Sequence, residues 1–184
     1  RNPELVINFY NERRKQLLDV EPNAGHIGLA GLEKDFNVTV VTQNVDNLHE
    51  RAGSTRVIHL HGELTKVCSS RDPYNPHYVK ELRPDEYEVK LGDKAGDGSQ
   101  LRPFIVWFGE AVPEIETAIG YVEKADVFVI IGTSMNVYPA AGLLHYVPRD
   151  AEVYLIDPKP VDVHSVRRVH VIQKGASEGV RELA

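Results

Sequence analysis

Two amides and a carboxylate follow a short apolar run near the start of the chain. Gln43, Asn44 and Asp46 come directly after the β-branched segment 38–42. Such side chains both donate and accept hydrogen bonds, so they suit a polar ligand at the carboxyl end of a strand. An ordinary Asx-rich turn that caps a helix is an equal alternative. The residues by themselves leave both interpretations open.

A second polar turn, Gly132-Thr133-Ser134, follows the apolar run 127–131. Small and hydroxyl residues at such a place expose backbone N–H groups where a helix starts, and phosphate binds favourably there. For the motif by itself, a plain strand-to-helix turn is the slightly better interpretation. The sequence contains neither a G-x-G-x-x-G stretch nor a P-loop.

Two histidines, His59 and His61, lie at the end of the apolar run 57–60. A zinc site is disfavoured because no third ligand follows at a recognisable spacing and Cys68 is the only cysteine. Histidine at the mouth of a sheet also suits general base chemistry near neutral pH, which we predict for His61. For His59 a buried, hydrogen-bonded side chain is the better interpretation.

Tyr10 and Arg13 lie three residues apart in a predicted helix and therefore share one surface. A phenol hydroxyl beside a guanidinium suits a carboxylate ligand. The alternative is a solvated arginine next to a tyrosine packed in the core.

The elements that must position these residues alternate between helix and strand periods. Helices are predicted at 3–18, 24–34, 114–124 and 139–146, with a terminal turn at 179–183, and strands at 38–42, 57–60, 104–108, 127–131, 152–156 and 169–173. This alternation predicts an α/β fold with a parallel sheet and helices on both faces. The Gly- and Pro-containing segment 69–102 is predicted to be a loop-rich insertion.

Composition excludes several classes of protein. The 184 residues carry 21 Lys and Arg against 27 Asp and Glu, so a broad cationic surface for nucleic acid is not expected. No apolar stretch approaches the roughly 20 residues that cross a bilayer, and the start lacks a signal-peptide core. We expect a cytoplasmic protein without nucleic-acid or membrane partners.

Four ordered motifs together resemble those of the sirtuins, which are NAD-dependent protein lysine deacylases. They are TQNVDNLH at 42–49, HGEL at 61–64, VWFGE at 106–110, and GTS at 132–134 with VYPAA at 137–141. The resemblance implies one catalytic domain over 1–184 with a Rossmann-like core, NAD as co-substrate, and 69–102 as a reduced small module. That module is expected to be metal-free because the family's four zinc cysteines are missing. The family's N-terminal strand and Gly-Ala-Gly-x-Ser loop are absent from this sequence, so we expect the domain to be N-terminally incomplete.

The resemblance implies roles for individual residues. His61 matches the catalytic base, and Asn44 and Asp46 match catalytic groups that hold the nicotinamide ribose and carboxamide. The implied NAD-binding residues are Gln43, Asn44, Val45, Asp46, Gly132, Thr133, Ser134, Asp157, Lys159 and Ala176, and the implied substrate-binding residues are Tyr10, Arg13, Val106, Trp107, Phe108, Gly109 and Glu110. Segment 106–110 resembles the strand that pairs with the substrate backbone. Asp157 stands where the family more often has Asn.

Tyr10 and Arg13 are similar to the Tyr-x-x-Arg pair of sirtuins that prefer succinyl- or malonyl-lysine. The resemblance therefore implies an enzyme that acts on acylated lysine side chains of proteins, preferring acidic acyl groups over acetyl and yielding nicotinamide and O-acyl-ADP-ribose. Two alternatives remain: a non-catalytic regulatory protein that binds NAD or ADP-ribose, and a mono-ADP-ribosyltransferase.

Overall fold

A computed structural model describes residues 2–133, 140–160 and 168–184. The chain divides into two compact units. Unit 1 comprises Arg1–Glu21, Thr42–Asn47 and His61–Pro113, and unit 2 comprises Pro22–Val41, Leu48–Leu60 and Glu114–Ala184. None of the helices in the described ranges is long and apolar enough to cross a membrane.

The described residues form five α-helices, eight strands and three short 3₁₀ helices. In chain order these are α1 (Pro3–Leu18), α2 (Ala24–Gly31), β1 (Val40–Thr42), α3 (Leu48–Ala52), β2 (Val57–His59), β3 (Gly62–Ser69), β4 (Lys80–Glu81), β5 (Leu101–Ile105), α4 (Ile115–Val122), β6 (Val127–Ile131), β7 (Glu152–Ile156), β8 (His170–Ile172) and α5 (Ala176–Leu183), with 3₁₀ helices at Leu32–Lys34, Pro76–Tyr78 and Ala140–Tyr146.

Unit 2 contains a parallel sheet in the order β6-β7-β8. Val127 pairs with Glu152 and Tyr154 with His170. The central strand β7 is the most buried, because Val153, Leu155 and Ile156 are all at most 1% exposed. The predicted α/β class is confirmed, and the boundaries predicted for β6 and β7 match those observed. A separate two-stranded sheet pairs β1 with β2.

Unit 1 is built on an antiparallel sheet in the order β4-β3-β5, which the sequence analysis did not predict. The eight-residue strand β3 pairs with β5 from Gly62 opposite Ile105 to Ser69 opposite Leu101. The predicted strand 104–108 is wrong in its boundaries, since the strand ends at Ile105 and the chain then turns. The insertion 69–102 is loop-rich as predicted.

Helix α1 packs on this sheet through one face. Ile7, Arg14 and Leu17 are its buried residues, whereas the apolar Leu5 and Phe9 are 65% and 57% exposed. Ile7 joins a core cluster whose other members are Val67, Val89, Leu82 and Leu101. The Asn2 side chain accepts a hydrogen bond from the N–H of Leu5, which satisfies one free donor of the first turn.

A polar network ties the start of the insertion to its end. The Ser69 hydroxyl, fully buried, donates to Asp97 at 2.6 Å, and Ser99 donates to the other carboxylate oxygen at 2.6 Å. These hydrogen bonds, that of Ser69 first, lower the pKa of Asp97 to about 2. Cys68 beside it is buried, and burial raises the pKa of its thiol to about 11, so the thiol is protonated at neutral pH.

We predict that Gly62→Ala strongly destabilises the protein. Gly62 has φ +91°, and a Cβ there would lie 2.0 Å from the carbonyl oxygen of Phe104, so the substitution forces β3 and β5 apart. The free energy of unfolding, measured with urea, is expected to fall by at least about 3 kcal/mol.

Gly98→Ala is the matched control for this prediction. Gly98 also has a positive φ, +80°, but a Cβ there would meet nothing within 4 Å. Only the left-handed backbone strain remains, worth about 1–2 kcal/mol. Equal losses for the two variants would show that the close approach to Phe104 is unimportant.

Candidate active site

The predicted ligand-binding loop 43–46 is fixed in unit 1 at both ends. At its start, the N–H of Asn44 donates to the Thr42 hydroxyl at 3.0 Å. Farther along, the carbonyl of Val45 accepts a hydrogen bond of 2.7 Å from the N–H of Leu64 in β3. Asn44 is exposed and Asp46 is half-buried. The loop therefore presents its polar side chains from a backbone that β3 holds.

Arg14 joins helix α1 to the same point of β3. Its Nε donates to the carbonyl of Leu64 at 2.8 Å, and its Nη1 donates to the Asn11 side chain at 2.9 Å. Asn11 in turn exchanges two hydrogen bonds with the backbone of Val89. Arg14 is only 3% exposed, and this burial lowers the pKa of its guanidinium to about 10. A buried cation thus locks α1 to the sheet.

His61, the predicted catalytic base, is half-buried immediately before β3. Its carbonyl accepts a hydrogen bond of 2.9 Å from the N–H of Val106. The structure therefore joins the backbone of His61 to the first residue of the predicted substrate segment. Gly62 allows this approach because it has no Cβ to meet the neighbouring strand β5.

His59 behaves as predicted for a buried histidine. It is 8% exposed, and its Nε2 lies 2.9 Å from the carboxylate of Glu50 on α3. Burial by itself raises the pKa of Glu50, but the hydrogen bond from His59 and its charge hold that pKa below the ordinary value.

A buried ion pair supports the predicted substrate segment. Nη1 and Nη2 of Arg102 donate to the two carboxylate oxygens of Glu110 at 2.9 and 3.1 Å. Glu110 also accepts from the Tyr74 hydroxyl at 2.8 Å and from the N–H of Trp107 at 3.1 Å. The hydrogen bond from Arg102 is the main cause that lowers the pKa of Glu110 to about 2. The Glu110 carboxylate is therefore ionised at neutral pH and is engaged by hydrogen bonds from within the protein.

The same ion pair orients Trp107. The guanidinium carbon of Arg102 lies 3.7 Å from the centre of the indole ring, a close cation–π contact. The indole N–H donates to the hydroxyl of Tyr10 at 3.3 Å. The structure thus brings two predicted substrate residues, Tyr10 and Trp107, into contact.

Segment 106–110 is a turn in this structure. The N–H of Glu110 donates to the carbonyl of Trp107 at 3.0 Å, and Gly109 has φ +87°. The turn projects the Phe108 side chain, which is fully exposed.

The remaining predicted NAD-binding residues lie in unit 2. Gly132 and Thr133 follow β6, Asp157 and Lys159 follow β7, and Ala176 begins α5. The N–H of Gly132 donates to the carbonyl of Ile156 at 3.0 Å. One carboxylate oxygen of Asp157 accepts a hydrogen bond of 2.8 Å from the N–H of Lys159. Ser134 lies outside the described residues. The carboxyl ends of β6 and β7 therefore carry Gly132, Thr133, Asp157 and Lys159, and ligands of parallel sheets bind at such ends.

Sequence analysis missed three residues that organise the site. Arg102 lies at the end of the predicted insertion and Tyr74 within it, and Arg14 was given no role. A signal existed for Arg102, since it precedes Pro103 at the start of an apolar run that ends at Glu110. Arg14 gave no local signal because its partner Leu64 lies 50 residues away.

Comparisons with known proteins agree with the sequence resemblance. The model of the Sir2 family matches residues 1–139. The chain is 82% identical to an NAD-dependent protein deacylase of Bacteroides thetaiotaomicron over 183 residues, which cover 100% of this chain and 78% of that protein. It is 50% identical to one of Helicobacter pylori, with 100% and 77% covered. A solved Sir2 homologue in complex with NAD is 37% identical, with a TM-score of 0.83 over 99% of this chain and 71% of that one.

We predict that Glu110→Gln lowers the free energy of unfolding by about 3 kcal/mol at pH 7, because it leaves the buried Arg102 without its counter-charge. The folded-state pKa of Glu110, about 2, lies below the ordinary 4.5. The stabilisation is therefore fully present above pH 4.5 and is lost as the pH falls through 2. Urea unfolding of both proteins between pH 7 and pH 2.5 should show the difference shrinking below pH 4.5.

Glu86→Gln provides the control. Glu86 pairs with Arg83 on the surface, where both side chains are 67% exposed, so the change is expected to cost less than about 0.5 kcal/mol. A Glu110→Gln deficit that does not vary with pH would contradict the assignment of this stabilisation to the ionised pair.

Proposed function

The chain belongs to the Sir2 family, and from that premise we propose that it removes acyl groups ending in a carboxylate, such as succinyl and malonyl, from lysine side chains. It is an NAD-dependent protein deacylase with NAD as co-substrate. Acetyl groups are the weaker substrates in this proposal. The products are deacylated lysine, nicotinamide and O-acyl-ADP-ribose.

The contrast between Arg13 and Arg14 carries the acyl preference. Arg14 is buried, and its Nε and Nη1 donate to the protein. Arg13 is exposed, and no hydrogen bond or ion pair engages it within the described part of the chain. It lies one helical turn from Tyr10, whose hydroxyl contacts the substrate segment through Trp107. An uncommitted guanidinium beside a substrate segment favours an anionic ligand.

The chemistry of the acyl group sets the size of the preference. A carboxylate on Arg13 makes charge-assisted hydrogen bonds worth roughly 1.5–3 kcal/mol, or about 10- to 100-fold in affinity. An acetyl group has no charge to offer, and the exposed Arg13 then stays solvated at no cost. Acetyl turnover therefore persists at a lower efficiency.

His61 is the base in this proposal. Its imidazole takes a proton from a ribose hydroxyl of the co-substrate after the acyl oxygen has displaced nicotinamide. The hydrogen bond from Val106 to its carbonyl supports this role, because it keeps His61 beside the substrate segment. Asn44 and Asp46 would bind the nicotinamide ribose and carboxamide, since an amide and a carboxylate together supply donors and acceptors.

The residues after β6 and β7 fit the ADP-ribose part of NAD. Gly132 is exposed with φ +60°, and a Cβ there would meet nothing within 4 Å, so a phosphate can approach its backbone. Asp157 is half-buried, and its carboxylate suits ribose hydroxyls as an acceptor. These residues would hold the adenosine half of the co-substrate.

We predict that Arg13→Met lowers kcat/KM for a succinyl-lysine peptide by about 10- to 100-fold and changes acetyl turnover much less. The measurement is nicotinamide release from two peptides that differ only in the acyl group. Arg83→Met, which removes another exposed arginine, is the control and should leave both values unaltered. Equal losses on the two peptides would contradict the acyl preference.

We also predict that His61→Ala abolishes deacylation of both peptides while NAD still binds, because it removes the base and leaves the residues after β6 and β7 intact. Calorimetric titration with NAD tests binding, and the appearance of free lysine in the two peptides tests deacylation. Deacylation retained by His61→Ala would overturn the base assignment, and nicotinamide release without free lysine in the wild-type enzyme would identify ADP-ribosyl transfer instead.

A further inference from the structure

Trp107 is the only tryptophan of the chain, and its indole has a directed contact. The ring is half-buried, and its N–H donates to the Tyr10 hydroxyl at 3.3 Å. An indole has one donor and no acceptor in its plane, so the direction of this hydrogen bond is fixed.

Trp107 is held at its ring and at its backbone. Its face lies on the guanidinium of Arg102, 3.7 Å from ring centre to Cζ, and the backbone N–H of Trp107 donates to Glu110. Arg102 is itself held by Glu110 and by the carbonyl of Ile105 at 2.7 Å. The indole N–H therefore points to Tyr10 from a ring that has little freedom to rotate.

This contact determines the direction in which the Tyr10 hydroxyl donates its proton. A phenol oxygen carries one proton, and the indole N–H already occupies an acceptor position on that oxygen. The phenol proton cannot point back at the indole, which is a donor, so it is directed to another acceptor. Tyr10 is thereby set as a hydrogen-bond donor next to Arg13 on the same helix face.

We propose that Trp107 is a specificity-determining positioning residue, which holds Tyr10 as a donor so that the acyl pocket accepts a terminal carboxylate and disfavours an acyl group ending in a donor. The inference rests on the proposed function, since it explains how the same pocket recognises an acidic acyl group. A carboxylate has only acceptors, so it matches the donors of Tyr10 and Arg13 together.

Trp107→Phe tests the proposal, because phenylalanine keeps an aromatic face for Arg102 and lacks the indole N–H donor. We expect the KM ratio of succinyl to acetyl peptide to rise about 3- to 10-fold, while the corresponding kcat ratio moves less. Tyr10→Phe should raise the KM ratio at least as much. The double variant should match Tyr10→Phe alone, since both changes remove the same donor function.

A spectroscopic readout is independent of turnover. The single tryptophan gives one indole N–H signal in a ¹H–¹⁵N spectrum, and Tyr10→Phe should move it upfield as the hydrogen bond is lost. Tyr121→Phe is the control, because Tyr121 lies under Arg56 in unit 2 and should leave the signal in place.

The outcomes separate the two proposals. An unmoved indole signal in Tyr10→Phe, an unchanged KM ratio in Trp107→Phe, or additive effects in the double variant would overturn the role of Trp107 while leaving the acyl preference intact. Equal succinyl and acetyl turnover by the wild-type enzyme would overturn the proposed preference, and this inference with it.

Discussion

The ion pair of Arg102 and Glu110 is the interaction on which segment 106–110 of unit 1 depends. Arg102 is 9% exposed, and a charge so far from water is tolerated only with a counter-charge and saturated hydrogen bonds. Glu110 supplies both, and Tyr74 completes the set. Burial first, and then the hydrogen bond to Glu110, raise the pKa of Tyr74 to about 12, so it remains a donor across the working pH range. These groups satisfy one another, and both members of the ion pair also contact Trp107.

In the insertion 69–102, too, buried polar groups are satisfied by hydrogen bonds to one another. Where zinc-binding relatives use thiolates, this chain has one buried, protonated thiol. Ser69, Asp97 and Ser99 close the segment with short hydrogen bonds, and the carboxylate carries the charge in the absence of a cation partner within that set. The sheet β4-β3-β5 beneath supplies the apolar packing, centred on Val67. The hydrogen bonds of the buried Ser69 and the apolar packing around Val67 together stabilise this segment.

The sequence predicted those elements whose signal is local. Strands β6 and β7 are continuous apolar runs, and α1 has a helical period with a cap, so short windows identified them. Strand β3 was missed because its polar residues interrupt the apolar pattern and its partners are distant in the chain. Lys66 pairs with Glu81 of β4, and Cys68 pairs with Arg102 of β5 more than thirty residues later. The motif residues were found through family resemblance, whereas the side chains that orient them, Arg14 and Arg102, depend on tertiary partners that no window contains.

Arg13 and Arg14 show how one helix separates structure from specificity. Neighbours on a helix point about 100° apart, so α1 turns one guanidinium into the protein and the other toward solvent. Arg14 bears the cost of burial, which its hydrogen bonds to Leu64 and Asn11 offset, and this anchors the face that carries Arg13. Since Arg13 makes no contact that the fold requires among the described residues, its charge remains available to a ligand. A position of this kind can change acyl preference without a change in fold, because its side chain contributes to binding and hardly at all to stability.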